Sequence, residues 1–373
     1  MSSNYLGRAI PKLGFGLMRL PMNGEDVDLE QTIKMVDRFM KQGFTYFDTA
    51  YVYINGKSEV AAREAIVKRY PRESFQLATK LPLWSVKDYD DMQKIFDTQL
   101  ERTGAGYFDF YLLHALNEDM LEAIEKVGAW KFIQEKKEEG LIRHIGFSFH
   151  DKAKHLDRIL REHPEAEFVQ LQINYTDWDN DSIQSRLCYE TALKHNKPII
   201  VMEPVKGGAL SVMSPEVQSI LKTANPGMSI ASWAVRYAAS LDGIITVLSG
   251  MSNLEQMNDN LSYMTNFQPL QEAESETLKK VVEELKKLPV IPCTSCKYCV
   301  DGCPQKINIP GIFEGYNNYT IYQNLEGSKG HYRWLTEEKG KASDCIACGA
   351  CEGHCPQHIG IVDKMKEISG VFE

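Results

Sequence analysis

Between Lys12 and about Asn266, short apolar runs alternate with stretches in which apolar residues recur three and four positions apart. The runs are Lys12–Met18, Phe44–Ala50, Phe75–Lys80, Phe108–His114, His144–Phe149, Phe168–Asn174, Pro198–Pro204 and Gly243–Gly250, eight in all. Runs this short, rich in β-branched and aromatic residues and bounded by Gly, Pro or polar positions, predict buried strands. The intervening stretches, among them Leu29–Gly43, Asp90–Gly104 and Leu121–Gly140, carry the spacing of amphipathic helices. Eight strand–helix units over roughly 250 residues predict an α/β fold, the (β/α)8 TIM barrel. A doubly wound parallel sheet is the competing architecture for the same alternation. Leu270–Pro289 then reads as one charged helix leading out of the barrel.

Polar residues gather at the C-terminal ends of the predicted strands: Asp48, Lys80, His114, Ser148, Gln172, Glu203 and Ser249. In a (β/α)8 barrel that rim carries the active site, so their succession locates it. Asp48, Tyr53, Lys80 and His114 suit carbonyl reduction. Hydride addition leaves negative charge on the carbonyl oxygen, which needs an acid within hydrogen-bond reach. A free tyrosine, with a pKa of about 10, is a sluggish acid. A neighbouring Lys80 ammonium favours the phenolate and is expected to lower Tyr53, while Asp48 keeps the lysine charged and in place. Neutral His114 donates to the substrate oxygen and orients it. Each residue also has a plainer reading, as a turn cap, a rim lysine or a histidine satisfied in the core. Their joint placement favours the catalytic one.

The stretches Asp48-Thr49-Ala50-Tyr51-Val52-Tyr53, Ala78-Thr79-Lys80 and Leu112-Leu113-His114 resemble the aldo-keto reductase family, over about residues 5–265. The resemblance implies an NAD(P)H-dependent oxidoreductase interconverting a small carbonyl and an alcohol, with Asp48, Tyr53, Lys80 and His114 as its tetrad. It further implies that Ser148 and Gln172 hold the nicotinamide carboxamide. The stretch Ser249-Gly250-Met251-Ser252-Asn253-Leu254-Glu255-Gln256, through Asn260, would hold the adenosine half, its helix start suiting a phosphate. The chain departs from the family in two places. Met202-Glu203-Pro204 stands where many relatives place an aromatic ring on the nicotinamide, and Gly250 and Gln256 stand where others grip the 2′-phosphate with Lys and Arg. Weak discrimination between NADP and NAD is therefore expected, with Lys206 a candidate replacement cation. Gly14-x-Gly16 is an incomplete Rossmann fingerprint, lacking the third Gly and the helix after it.

Cysteine changes the picture of the C-terminal part. Cys293, Cys296, Cys299 and Cys303 form a C-x2-C-x2-C-x3-C-P run, and Cys345, Cys348, Cys351 and Cys355 repeat it. This is the bacterial ferredoxin pattern, in which the fourth Cys of each run ligates the other cluster. The expected sets are Cys293, Cys296, Cys299 and Cys355 on one [4Fe–4S] cluster, and Cys345, Cys348, Cys351 and Cys303 on a second. A zinc site would leave half of each run unexplained. Disulfides are disfavoured because MSSNYLGRAIPK has no secretory apolar region. The ninth, Cys188, lies on an amphipathic pattern and reads as a buried thiol. The helical insert between the runs suits a mainly helical ferredoxin-like domain. The expected organisation is a barrel over 1–268, a connecting helix over 269–289 and the dicluster domain over 290–373.

The formal net charge of −9 would grow by about two per all-thiolate cluster. That balance argues against a nucleic-acid partner and suits a basic redox protein. No apolar run reaches the roughly 20 residues of a membrane span, and reduced thiols point to the cytoplasm. One-electron clusters beside two-electron hydride chemistry leave two rival functions open: a ferredoxin- or flavin-linked electron-transfer enzyme, and a non-enzymatic redox-sensing subunit.

Overall fold

The computed structural model describes residue 6 and residues 9–181, 183–293, 295, 297, 299–300, 302–355 and 357–373. Cys296, one of the expected cluster ligands, lies outside the described residues. Eight parallel strands close in chain order: β1 Leu13–Gly16, β2 Tyr46–Asp48, β3 Gln76–Leu81, β4 Phe108–Leu116, β5 Ile142–Phe149, β6 Phe168–Gln172, β7 Ile199–Met202 and β8 Ile244–Ser249. Pairing of Phe15 with Ser249 on one side and Gly16 with Asp48 on the other completes the ring. Closure selects the TIM barrel over the doubly wound sheet.

The pleat of the strands places the site. Side chains alternate between the two faces of a strand, and Tyr46, Ala78, Phe110, Leu112, Phe168, Ile200 and Leu248 form one buried cluster. The same cluster takes in Ile10 and, at the register shift between Ile244 and Thr246, Ile245. Two residues beyond Tyr46, Ala78, Leu112 and Ile200 stand Asp48, Lys80, His114 and Met202, on the same face. The alternation that fills the barrel interior therefore also turns the polar strand ends inward. Gly14 belongs to that interior packing: a Cβ there would lie 2.8 Å from Leu248 Cδ2 and 3.1 Å from Tyr46 Cδ1. Its role is close packing between strands, not a phosphate-binding turn.

Helices connect the strands as the periodicity predicts. Asp28 caps Leu29–Lys41 by accepting from Gln31 N at 3.0 Å, and Asp88 caps Tyr89–Thr103 through Asp91 N at 3.0 Å. Such caps contribute about 1 kcal/mol each.

The chain forms two compact units, residues 1–204 with 232–271, and residues 205–231 with 272–373. The second unit contains the helices Glu272–Lys286, Ile309–Tyr322, Leu325–Leu335 and Ile361–Phe372. Its core gathers Ile312, Phe313, Tyr332, Met365, Ile368 and Phe372 beside the buried Cys299 and Cys351. Among the described residues no helix is long and apolar enough to cross a membrane.

Candidate active site

Lys80 is the centre of the barrel site. Its side chain is fully buried, and its ammonium donates to Asp48 Oδ1 at 2.6 Å, to the Thr49 carbonyl at 2.7 Å and to the Tyr53 hydroxyl at 3.3 Å. A buried charge survives only when paired and hydrogen-bonded, and three acceptors meet that need. Burial by itself would lower the lysine, but Asp48 and Tyr53 outweigh it and raise its pKa above the usual value. Burial pushes the Asp48 carboxyl up while Lys80 pulls it back.

The tyrosine departs from expectation. Burial is the largest influence on the Tyr53 phenol and raises it above 10.0, with Lys80 pulling down and Asp48 and Glu203 pushing up. Lysine proximity does not leave a lowered phenol; the resting side chain holds its proton firmly. His114 stands near the C-terminal end of β4, its ring T-shaped to Tyr53 with centroids 6.0 Å apart. Burial, then Lys80, then His150 lower its pKa to about 2, so the imidazole is neutral. Its Nδ1 is buried without a hydrogen-bond partner.

The loop carrying Tyr53 is held from below. Arg102 donates to the Tyr51 carbonyl at 3.1 Å and to buried Glu59 at 3.3 Å, and its guanidinium lies 4.4 Å from the Tyr51 ring centroid. Gly56 has φ 84°, and a Cβ there would lie 2.8 Å from that guanidinium. Only glycine suits both the backbone and the space.

The expected cofactor residues fall into three groups. Ser148 is buried on β5, and its Oγ accepts from Ala115 N at 2.8 Å, at a bulge where Ala115 has φ 57°. Gln172 donates to Asp177 Oδ2 at 3.2 Å, and Asn174 donates to the same oxygen at 2.8 Å. Ser249 ends β8, followed by Gly250, and the helix Leu254–Met264 is capped by Asn253 with Gln256 N donating at 2.9 Å. Ser252 N donates to Gln256 Oε1 at 2.7 Å, and Ser252 Oγ to the Arg19 carbonyl at 2.8 Å. Asn260 is 5% exposed, with Oδ1 unpartnered although Nδ2 donates to the Gln256 carbonyl at 3.0 Å. A Cβ on Gly16 would lie 3.6 to 3.7 Å from Ser249 O and Gly250 N, so bare backbone meets bare backbone here. Bare backbone at a helix start and an orphaned amide oxygen on that helix fit a nucleotide. Glu203 is exposed beyond β7 with φ 52°, while Lys206 belongs to the second unit, 5.9 Å from the Tyr322 ring centroid.

Sequence reasoning passed over several residues. Trp84 is 54% exposed with its ring 5.0 Å from His114, Asp177 and Asn174 support Gln172, and Arg19 lies against Gly250. Trp84 stands four positions after Lys80, which was the available signal; the others come from loops with no period.

In the second unit the described cysteines of the two runs line two cavities. Cys293, Cys299 and Cys355 border one, together with Lys297. Cys303, Cys345, Cys348 and Cys351 border the other. Ile309 and Ile361 line both. Cys303 thus sits with Cys345, Cys348 and Cys351 of the second run, and Cys355 with Cys293 and Cys299 of the first. Among the described residues no three His, Cys, Asp or Glu side chains converge on a single-ion position. Thiolates spaced around a void fit a multi-iron cluster. Cys188 is separate and buried, with Sγ 3.5 Å from the Asp151 carbonyl; burial pushes the thiol up to about 12, which leaves it inert.

A closed (β/α)8 barrel with a Lys–Asp–Tyr chain in its mouth defines an oxidoreductase of the aldo/keto reductase type. The model of the Aldo/keto reductase family matches residues 12–283, and the chain belongs to that family. A 4Fe-4S dicluster domain matches residues 292–359. Among curated relatives, a probable aldo-keto reductase 1 of Glycine max is 31% identical over 185 residues, covering 47% of this chain and 51% of that protein. An uncharacterised oxidoreductase of Saccharomyces cerevisiae is 28% identical over 263 residues, covering 67% and 88%. Methylglyoxal reductase DkgA of Yersinia pestis is 31% identical over 163 residues, covering 42% and 51%. The chain thus spans about half the length of the soybean and Yersinia relatives. A Klebsiella pneumoniae aldo-keto reductase solved in complex with NADPH superposes with a TM-score of 0.59 at 20% identity, covering 75% of this chain and 94% of that one. That likeness is one of fold.

Proposed function

We propose that the enzyme reduces a small carbonyl compound with NAD(P)H, and that its dicluster domain carries two [4Fe–4S] clusters for electron transfer. The carrying observation is Lys80 bonded at once to Asp48, Thr49 and Tyr53 beside neutral His114. When bound, the nicotinamide supplies a hydride. The residues of the chain do the rest. Tyr53, protonated by virtue of its burial, donates to the substrate oxygen as charge develops there. Lys80 stabilises the phenolate left behind, which is where its proximity acts. Asp48 holds the ammonium in register, and His114 offers a neutral N–H that orients the carbonyl. Ser148 and Gln172 would hold the carboxamide, and the Ser249–Asn260 stretch the adenosine half. The Yersinia relative's name supports a small aldehyde as substrate.

The electron-transfer reading of the second unit rests on the two cysteine-lined cavities with Ile309 and Ile361 between them. Adjacent one-electron centres suit passage to a redox protein. The combined reading is tested by anaerobic purification with iron, sulfide and cofactor analysis, followed by an aldehyde, ketone and alcohol panel with NADH and NADPH. About eight iron and eight sulfide per chain and turnover of aldehydes are expected. A single zinc with no turnover would refute it.

A further inference from the structure

We infer that Arg19 reads the 2′-phosphate of the dinucleotide and makes the enzyme NADP(H)-selective. This rests on the reading that the stretch Ser249–Asn260 holds the adenosine half. No cation stands on that stretch where relatives carry Lys and Arg, for Gly250 has no side chain and Gln256 is neutral and engaged. The Gln256 side-chain oxygen Oε1 accepts from Ser252 N at 2.7 Å, which turns the amide back onto the start of its own helix.

Arg19 fills the vacancy from another part of the chain. It ends the 3-10 turn Leu17–Arg19 after β1, and its Cδ, Cβ and Cγ lie 3.3 to 3.5 Å from the position a Cβ on Gly250 would take. Its stem therefore occupies the space that a lysine at position 250 would need. The side chain is exposed, and among the described residues no carboxylate or carbonyl holds its guanidinium. A guanidinium stem packed against Gly250 with its donors free suits a bidentate contact to a phosphate monoester. Two further features accompany it. Asn260 keeps an unpartnered amide oxygen at 5% exposure, and Gly16 and Gly250 meet with bare backbone.

The backbone at Arg19 does not depend on its side chain. Ser252 Oγ donates to the Arg19 carbonyl at 2.8 Å, and Ser58 Oγ to the Leu17 carbonyl at 2.9 Å. Substitution should thus remove the cation and leave the loop standing. This reverses the expectation of weak discrimination drawn from Gly250 and Gln256 alone.

The test is direct binding of NADPH and NADH to the anaerobically purified holoprotein, by titration of nucleotide fluorescence, for wild type, Arg19→Gln and Arg19→Lys. Wild type should prefer NADPH. Arg19→Gln should weaken NADPH on the order of 10- to 100-fold, from loss of charged hydrogen bonds, and leave NADH within about twofold. Arg19→Lys should fall between them, because a point charge replaces a fork. Equal weakening of both nucleotides would place Arg19 on the shared pyrophosphate and overturn the inference, as would an unchanged NADPH-to-NADH ratio in Arg19→Gln. Failure of wild type to bind either nucleotide would overturn the reductase reading itself, and this inference with it.

Discussion

Tyr53→Phe separates proton donation from everything else the site does. The substitution removes one hydroxyl and keeps a ring of the same shape at 6.0 Å from His114. Lys80 loses its longest contact, at 3.3 Å, and keeps Asp48 at 2.6 Å and the Thr49 carbonyl at 2.7 Å. The stability cost is therefore that of one hydrogen bond, about 0.5 to 1.5 kcal/mol, too little to unfold the barrel. Catalysis should suffer far more, since His114 is held neutral with a pKa of about 2 and cannot serve as the acid near neutral pH. General acid catalysis contributes on the order of 10²- to 10⁴-fold, or about 3 to 5 kcal/mol of barrier. The assay is kcat/KM for an aldehyde under anaerobic conditions, paired with direct NADPH titration and a denaturation curve. The expected result is a collapse in kcat with nucleotide affinity and folding nearly intact. Near-normal turnover would show that another group delivers the proton and that the Lys80 chain is structural.

Cys303→Ser should abolish the same paramagnetic signal as Cys345→Ser, and Cys355→Ser the same one as Cys293→Ser, because the cavities pair these cysteines across the two runs; loss of the Cys293 signal in Cys303→Ser would refute the crossing. Gly56→Ala should destabilise the protein by about 1 to 3 kcal/mol, given φ 84° and a Cβ 2.8 Å from the Arg102 guanidinium, and should lower turnover by moving the Tyr53 loop; an unchanged melting temperature would mean that the loop relaxes freely. The rate of carbonyl reduction should be flat across neutral pH, since burial raises Tyr53 above 10.0 and lowers His114 to about 2. For stability the sign is opposite to that of a paired histidine: His114 falls from 6.5 to about 2 on folding, so below pH 6.5 the unfolded chain binds the extra proton and stability declines. The slope approaches about 1.4 kcal/mol per pH unit, and His114→Asn should flatten the denaturation midpoint between pH 6.5 and 4.5 relative to wild type.

The apolar runs and the helical spacing determined a parallel α/β fold, because a strand buried on both faces is satisfied between two other strands under a helical layer, and closure of the ring then decided the barrel over the doubly wound sheet. The period of two also settled the inward direction of Asp48, Lys80 and His114, each two residues beyond a core position on its own strand. The cysteine runs declared their chemistry by spacing alone, since a short x2 loop is a local property of the chain. What depends on closure was not legible. Burial depth decides the sign of the Tyr53 shift, and it arises from Lys80, Asp48 and the barrel walls together, so reasoning from the lysine alone gave the wrong direction. The pinning of the Tyr53 loop by Arg102, and the support of Gln172 by Asp177, join residues with no shared period. The same holds for Arg19 and Gly250, which meet only because β1 and β8 are neighbours in a closed ring. A sequence records which face each strand residue presents, whereas the distances between strand ends far apart along the chain exist only once the last strand pairs with the first.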